Sequence, residues 1–261
     1  MKILFCFFWT LCFFISVGNA QDTFIAISYH DCQEADSQSF VDTITTDEIS
    51  RQFQWLKENG YHPVSIDDIL AAKKGEKPLP NQAILLTFDD GYESFYRVIY
   101  PLLKAYRYPA VLAIVGKWID TAHPEKVSYG DRKVERERFL TWMEIKEMSA
   151  SGLVEVASHS YDHHHGILAN PQGNQEPAYT TRLYMKSQNR YETRSEYETR
   201  INQDLRKSAD VIKKHLGKSP RIMVWPYGRY NEDTLRLARK NGMPVTITLD
   251  EPVNDLNNLS R

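Results

Sequence analysis

The sequence predicts an α/β fold: one mostly parallel sheet with helices outside it, wound toward a (β/α) barrel. Three observations point there. Short apolar, β-branched runs alternate with segments of helical period along the chain beyond residue 20. About seven such strands fall within roughly 240 residues, which suits one barrel better than two separate domains. The residues with chemistry to offer fall directly after strands, on the side where parallel α/β folds carry their sites. No internal repeat and no linker-like break in composition interrupts the pattern.

The first twenty residues stand apart from that fold. Lys2 precedes an apolar run from Ile3 to Val17 broken only by Thr10 and Ser16, and Gly18-Asn19-Ala20 puts small residues where a signal peptidase cuts. Residues 1–20 therefore read as a secretory signal peptide cleaved before Gln21, with an uncleaved anchor as the alternative. At about 15 residues the run is shorter than the ~20 that span a bilayer, so no stable membrane anchor is expected. Cys6 and Cys12 lack the preceding small residue of a lipoprotein signal. The product is expected to be exported, periplasmic or secreted. Removing the leader leaves Cys32 as the one thiol, so the core and not disulfides must hold the fold. The chain is 42% hydrophobic and 25% charged, with 32 Lys+Arg against 34 Asp+Glu and a formal charge of −2. That is a globular composition, and it has no basic excess to drive nucleic-acid binding.

Phe24–Tyr29 reads as the first strand. Thr45 and Glu48 form a capping box, after which Ile49, Phe53 and Leu56 recur at helical spacing until Asn59-Gly60 ends the helix. A strand at Pro63–Ile66 and a short helix at Asp67–Lys74 follow. Ala83–Thr87 is a buried strand, and Tyr92–Tyr106 a helix bent or restarted at Pro101. Ala110–Val115 is the next strand; Thr141 and Glu144 cap a helix that Gly152 ends, and Leu153–Ala157 is again a strand. Tyr197, Ile201, Leu205, Ala209, Ile212 and Leu216 form one apolar stripe on a helix over Glu196–Leu216. Strands at Ile222–Trp225 and Val245–Leu249 flank a helix at Glu232–Asn241. Gly116–Arg138 and Ile167–Arg194 do not fit this rhythm and read as long loops, which either line a binding site or decorate the surface.

Three motifs follow strands. In Thr87-Phe88-Asp89-Asp90-Gly91 two adjacent carboxylates repel each other in a confined site unless a metal takes one and leaves the other as a base. An aspartate pair capping the next helix is the plainer alternative. Ser158 to Gly166 carries four histidines, His159, His163, His164 and His165; neutral imidazole is a common metal ligand. His159 and one of the later three are the candidate ligands. Trp225-Pro226-Tyr227-Gly228 could be an ordinary tight turn. The gaps from Asp90 to His159 and from His159 to Pro226 each cover about two βα units, so the three loops can ring one barrel mouth. One Asp with two His suits a divalent zinc, iron, cobalt or nickel ion with positions left open for water and substrate.

At these residues the sequence resembles a known family. TFDDG, a later H-x-x-x-x-H and a Pro-Tyr-Gly turn look like the polysaccharide deacetylases (carbohydrate esterase family four). More closely, SYHD at 28–31, TFDDGY at 87–92, SHSYDHHHG at 158–166, RYETRSEYETRI at 190–201 and VWPYG at 224–228 resemble the poly-β-1,6-N-acetyl-D-glucosamine N-deacetylases of biofilm export systems. The resemblance implies a distorted (β/α)7 barrel with permuted motif order. It implies Asp89 as general base, Asp90, His159 and His164 as ligands of one divalent metal ion, and His30 as catalytic acid. His30 ends the first strand and so would reach the same mouth; a core histidine is the alternative. The backbone N–H of Tyr227 would meet the oxyanion, Pro226 would hold the turn, and Trp225 and Tyr227 would offer flat faces to a sugar. The implied partners are an N-acetylglucosamine polysaccharide substrate and outer-membrane export machinery, with the protein a monomer.

The domain reading is then a signal peptide at 1–20 and a deacetylase domain at 21–261. Family members usually continue into a glycoside-hydrolase-like domain, absent here, and their last barrel strand would follow Arg261. An open barrel edge is therefore expected, from truncation or from a short variant that closes differently. Three rival readings are a deacetylase of chitin or peptidoglycan, a non-catalytic polysaccharide-binding module, and a structural metal site. His30 and the RYET segment favour the β-1,6 branch, an intact Asp89 argues against pure binding, and three ligands are one short of a closed structural zinc.

Overall fold

The computed structural model describes residues 22–33, 43–250 and 253–256. The signal-peptide reading falls outside them. Eight strands form the main sheet: β1 (Thr23–Tyr29), β2 (His62–Pro63), β3 (Ala83–Phe88), β4 (Ala110–Ile114), β5 (Val154–Ser158), β6 (Ile222–Val224), β7 (Val245–Ile247) and β8 (Val253–Asp255). Their order is β7-β6-β5-β4-β3-β1-β8, with β2 also paired to β3. All pairs are parallel except β8 on β1. β3 and β4 are buried at every position, as strands covered on both faces must be.

The two-residue period of the strands sorts their side chains into two layers. Ile84, Leu86, Phe88, Leu112 and Ile114 pack outward against the helices. Leu85, Val111, Ala113, Ala157 and Val224 pack together on the inner side. Laid flat, the strands from β7 to β1 would span about 24 Å. Yet Ile27 and Ser28 of β1 and Ile247 of β7 border one cleft, so the sheet curls into an open, distorted barrel. Among the described residues the tail strand β8 pairs antiparallel with β1, with Thr23 opposite Asp255 and Ile25 opposite Val253.

Seven α-helices accompany the strands among the described residues: α1 (Thr46–Glu58), α2 (Ile66–Lys73), α3 (Tyr100–Tyr106), α4 (Gly116–Asp120), α5 (Trp142–Ala150), α6 (Arg194–Leu216) and α7 (Glu232–Lys240). Capping boxes start α1 at Thr45 and Glu48, α5 at Thr141 and Glu144, and α6 at Thr193 and Glu196. The apolar stripe of α6 is buried from Tyr197 through Ile212, with Leu216 partly buried at its end. No helix of the described residues is long and apolar enough to cross a membrane.

Four boundaries differ from the sequence reading. Ser65 and Asp68 form a capping box that draws Ile66 into α2 and leaves only His62–Pro63 as strand. The segment before Pro101 is a wide π turn over Phe95–Ile99, so α3 restarts at Tyr100, where the proline sits in the first turn and needs no N–H donor. Gly116–Arg138 is not a loop: it holds α4 and an antiparallel hairpin of Lys126–Tyr129 with Arg132–Glu135. Ile167–Arg194 likewise contains two hairpins, pairing Gly166–Leu168 with Gln175–Pro177 and Tyr184–Met185 with Arg190–Tyr191.

Candidate metal centre and catalytic cleft

The strand ladders run on past the ends of the strands and carry the motifs into one cleft. Asp89 N–H donates to the Tyr29 carbonyl, His159 N–H to that of Ile114 and Trp225 N–H to that of Ile247. Strand alternation turns Asp89 inward behind Leu85 and Thr87. Its neighbour would face outward if the strand continued. Instead Asp90 adopts φ +73° and Gly91 φ +77°, and this left-handed turn brings the second carboxylate into the same cleft. The cleft has a volume of ≈ 400 Å³ and is bordered by His30, Asp89, Asp90, His159, His164 and Tyr227. A second cavity of ≈ 380 Å³ lies at the opposite ends of the strands, where Glu155 and Asp67 engage the Arg221 guanidinium.

Asp90, His159 and His164 present one ligand atom each, all within 4.8 Å of one another. Oδ1 of Asp90 lies 3.7 Å from Nε2 of His159 and 3.4 Å from Nε2 of His164. Donors about 2.1 Å from one tetrahedral centre stand about 3.4 Å apart, so this spacing fits a divalent ion. Two further observations agree. Oδ1 of Asp90 is buried and accepts no hydrogen bond among the described residues, while Oδ2 accepts one from the Tyr129 hydroxyl at 3.0 Å. His159 Nδ1 lies 2.8 Å from the Val224 carbonyl, which can only accept, so Nδ1 carries the proton and Nε2 keeps its lone pair toward Asp90. Burial pushes the His159 imidazole down to about 3, with His164 adding to the shift, and burial pushes His164 down to about 4. Both rings are neutral at ordinary pH, the form that ligates metals. The donor set is one that zinc, cobalt, nickel and iron accept.

Asp89 stands beside this trio with a different set of contacts. Its Oδ2 accepts from Ser28 Oγ at 3.1 Å, and its buried Oδ1 has no partner among the described residues. Burial, with the Asp90 charge adding to it, raises its carboxyl to about 7 against the opposing effect of His30 and Ser28. His30 follows β1 on the inner side, after Ser28, and borders the cleft. Pro226 is buried and opens a turn in which Tyr227 takes φ +58°. The Tyr227 ring is 46% exposed and lies 4.7 Å from His164, centroid to centroid. Trp225 differs from the expectation of an open face: it is 1% exposed and packs edge-on against Tyr179, because strand alternation turns it toward α6 and α7. Tyr227 alone of the pair presents an open ring.

Several residues at the site went unnoticed in the sequence. Tyr129 reaches Asp90 from the hairpin inside the segment read as a loop. Trp118 of α4 packs against His164 at 5.1 Å between centroids. The RYET segment acts from a distance: Glu192 accepts from Arg200 Nε at 2.8 Å and from the Leu183 N–H at 3.0 Å, and Arg200 also donates to the carbonyls of Ala178 and Thr181. It clamps the 178–192 segment to α6 and lines no part of the cleft.

With this geometry in place, the chain can be set beside known proteins. A polysaccharide deacetylase family model matches residues 76–246. The chain is 43% identical over 228 residues to the poly-β-1,6-N-acetyl-D-glucosamine N-deacetylase of Escherichia coli (strain K12), covering 87% of this chain and 34% of that protein. The chain thus spans about a third of that relative's length. It is 26% identical over 209 residues to the protein of the same name from Staphylococcus aureus (strain MRSA252), 80% of this chain and 62% of that one. Among solved structures, a de-N-acetylase from Aggregatibacter actinomycetemcomitans superposes with a TM-score of 0.85 at 42% identity, over 91% of this chain and 92% of that chain. The BpsB deacetylase domain from Bordetella bronchiseptica gives 0.84 at 39% identity, over 93% and 94%.

Proposed function

The chain belongs to the polysaccharide deacetylase family, and from that premise we propose that it is a metal-dependent N-deacetylase of poly-β-1,6-N-acetyl-D-glucosamine. The observation that carries this reading is the convergence of Asp90, His159 and His164 at ligand spacing, with the carboxylate of Asp89 beside them and outside the trio. The choice of polymer rests on the 43% identity to a protein of that name. In this reading Asp90, His159 and His164 hold one divalent ion, whether zinc, cobalt, nickel or iron. When bound, the ion supplies Lewis acidity, activating water and polarising the acetyl carbonyl.

The rest is work for the chain's own groups. Asp89 takes the proton of the attacking water, and Ser28 keeps its carboxylate turned toward the cleft. His30, which borders the cleft at the end of β1, gives its proton to the glucosamine nitrogen as the amide C–N bond breaks. Acetate and a free amine leave. The Tyr227 N–H meets the charge that develops on the carbonyl oxygen, and the Tyr227 ring takes the sugar face. The chain acts as an exported enzyme, periplasmic or secreted, with residues 1–20 removed and residues 21–261 as a monomeric deacetylase domain. It meets its polymer at outer-membrane export machinery.

Acetate release from β-1,6 and from β-1,4 N-acetylglucosamine oligomers, with and without a chelator, tests the proposal. Release from the β-1,6 oligomer that the chelator abolishes is the expected result. Release that ignores the chelator overturns the metal-dependent reading, and preference for the β-1,4 oligomer reassigns the substrate to chitin- or peptidoglycan-like polymers.

A further inference from the structure

The two candidate metal ligands on the histidine loop, His159 and His164, are joined by four residues, and that short connection is strained and heavily anchored. Ser160 takes φ +109°, a region that side-chain-bearing residues avoid. On one side the N-terminus of α4 holds the loop's carbonyls: Gly116 N–H donates to Ser160 at 3.0 Å and Lys117 N–H to Tyr161 at 2.8 Å. On the other side stands Asp204 of α6. It occupies the buried stripe next to Leu205, where the helical period calls for an apolar residue, and it is 5% exposed. A carboxylate in that position costs free energy unless its oxygens are satisfied.

They are satisfied by the loop. Oδ1 of Asp204 accepts the Asp162 N–H at 2.8 Å, and Oδ2 accepts the Tyr161 N–H at 3.0 Å and the Tyr179 hydroxyl at 2.5 Å. His163 Nδ1 lies 2.9 Å from Oδ1, though not aligned for a hydrogen bond. Every residue between Ser160 and His164 thus meets this one carboxylate. The two imidazoles that flank the connection end 4.8 Å apart, centroid to centroid.

We propose that Asp204 is a positioning residue that holds His159 and His164 at ligand spacing before any cation arrives. The inference rests on the metal-centre reading above and assigns the pre-organisation of that centre to a helix outside the cleft. Without the carboxylate the two N–H groups lose their acceptor, Ser160 relaxes from its left-handed conformation, and His164 is no longer tied to the position of His159.

The test is zinc affinity of the chain, by competition with a chromophoric chelator, at a temperature where circular dichroism shows the metal-free protein folded. Asp204→Asn keeps the volume but turns an amide NH2 toward the donors; it is expected to lose about 10–100-fold in affinity and to alter the visible spectrum of the cobalt form. Affinity within about twofold of wild type, with the wild-type cobalt spectrum, overturns the proposal. A merely structural role would lower the melting temperature and leave both readouts alone. Tyr179→Phe removes one donor and retains Asp204 with its backbone bonds, so an affinity loss of about threefold is expected. If Asp204→Asn does not fold, this milder variant decides, and an unchanged affinity there counts against the proposal. His159→Ala separates the two levels: if it binds zinc as wild type does, the metal-centre reading itself fails.

Discussion

Nε2 of His164 stands 3.4 Å from Oδ1 of Asp90, a buried oxygen that accepts no hydrogen bond among the described residues. Leaving a buried charged acceptor unpaired is expensive, and a cation at that point removes the expense. Zinc should therefore stabilise the fold. With free zinc at about 100 times its dissociation constant the gain is about 2.7 kcal/mol, visible as a rise in melting temperature. His164→Ala should lose most of that rise while keeping a cooperative transition. A zinc-induced shift of equal size in the variant would remove His164 from the ligand set.

Among the described residues Asp90 faces two imidazole nitrogens at ligand spacing and Asp89 none, and that difference predicts a separable phenotype. Asp89→Asn should slow acetate release by about 10²–10⁴-fold, the usual contribution of a general base. Its zinc-induced rise in melting temperature should match wild type. Near-normal release would strip Asp89 of the role of base.

Much of this was readable from the chain because it is local. Thr45 with Glu48 and Thr141 with Glu144 are capping boxes complete within four residues, and the strand read at Ala83–Thr87 declares itself by the apolar run Ala83–Leu86. The Asp89-Asp90 pair and His159 were legible for the same reason: each begins where a strand ends. What stayed hidden depends on partners distant in sequence. Tyr129 meets Asp90 across 39 positions, from a hairpin of four-residue strands too short and too polar to show a period. Asp204 sits in an apolar stripe, and only the folded loop shows why a carboxylate belongs there. The burial of Trp225 is likewise set by α6 and α7, not by its own motif.

The hairpin that carries Tyr129 depends on one buried cation. Arg136 donates to the carbonyls of Thr121, Phe139, Ile119 and Leu140, at 2.8 to 2.9 Å. No carboxylate takes part in those four bonds, so the guanidinium serves as a staple for the 119–140 segment. Arg136→Met leaves buried carbonyls unpaired and should cost roughly 3 kcal/mol in chemical denaturation. Because the staple and Tyr129 share the segment, zinc affinity should fall with it, about tenfold. Lost stability with unchanged affinity would show that Tyr129 contributes nothing to holding the metal centre.

The pair of Glu192 and Arg200 ties the RYET segment to α6, and its pH dependence has a definite sign. Burial alone would raise the Glu192 carboxyl, but hydrogen bonds from Arg200 and from the Leu183 N–H outweigh it and hold it below the usual carboxylate range. A depressed folded-state value means that the carboxylate stabilises the fold above its unfolded value, about 4.3, and that this contribution fades as pH falls through the lower folded value. Glu192→Gln leaves the mostly buried Arg200 guanidinium bonded to the Ala178 and Thr181 carbonyls but without its counter-ion, at a cost of about 3 kcal/mol. In a chain of this size that is a drop of roughly 6–12 °C in melting temperature near neutral pH. The gap between wild type and variant should narrow steadily below about pH 4.3, because only wild type has a charge to lose there. A gap that stays constant down to pH 3.5 would mean that the segment is held by shape and backbone bonds, and that the ion pair is incidental.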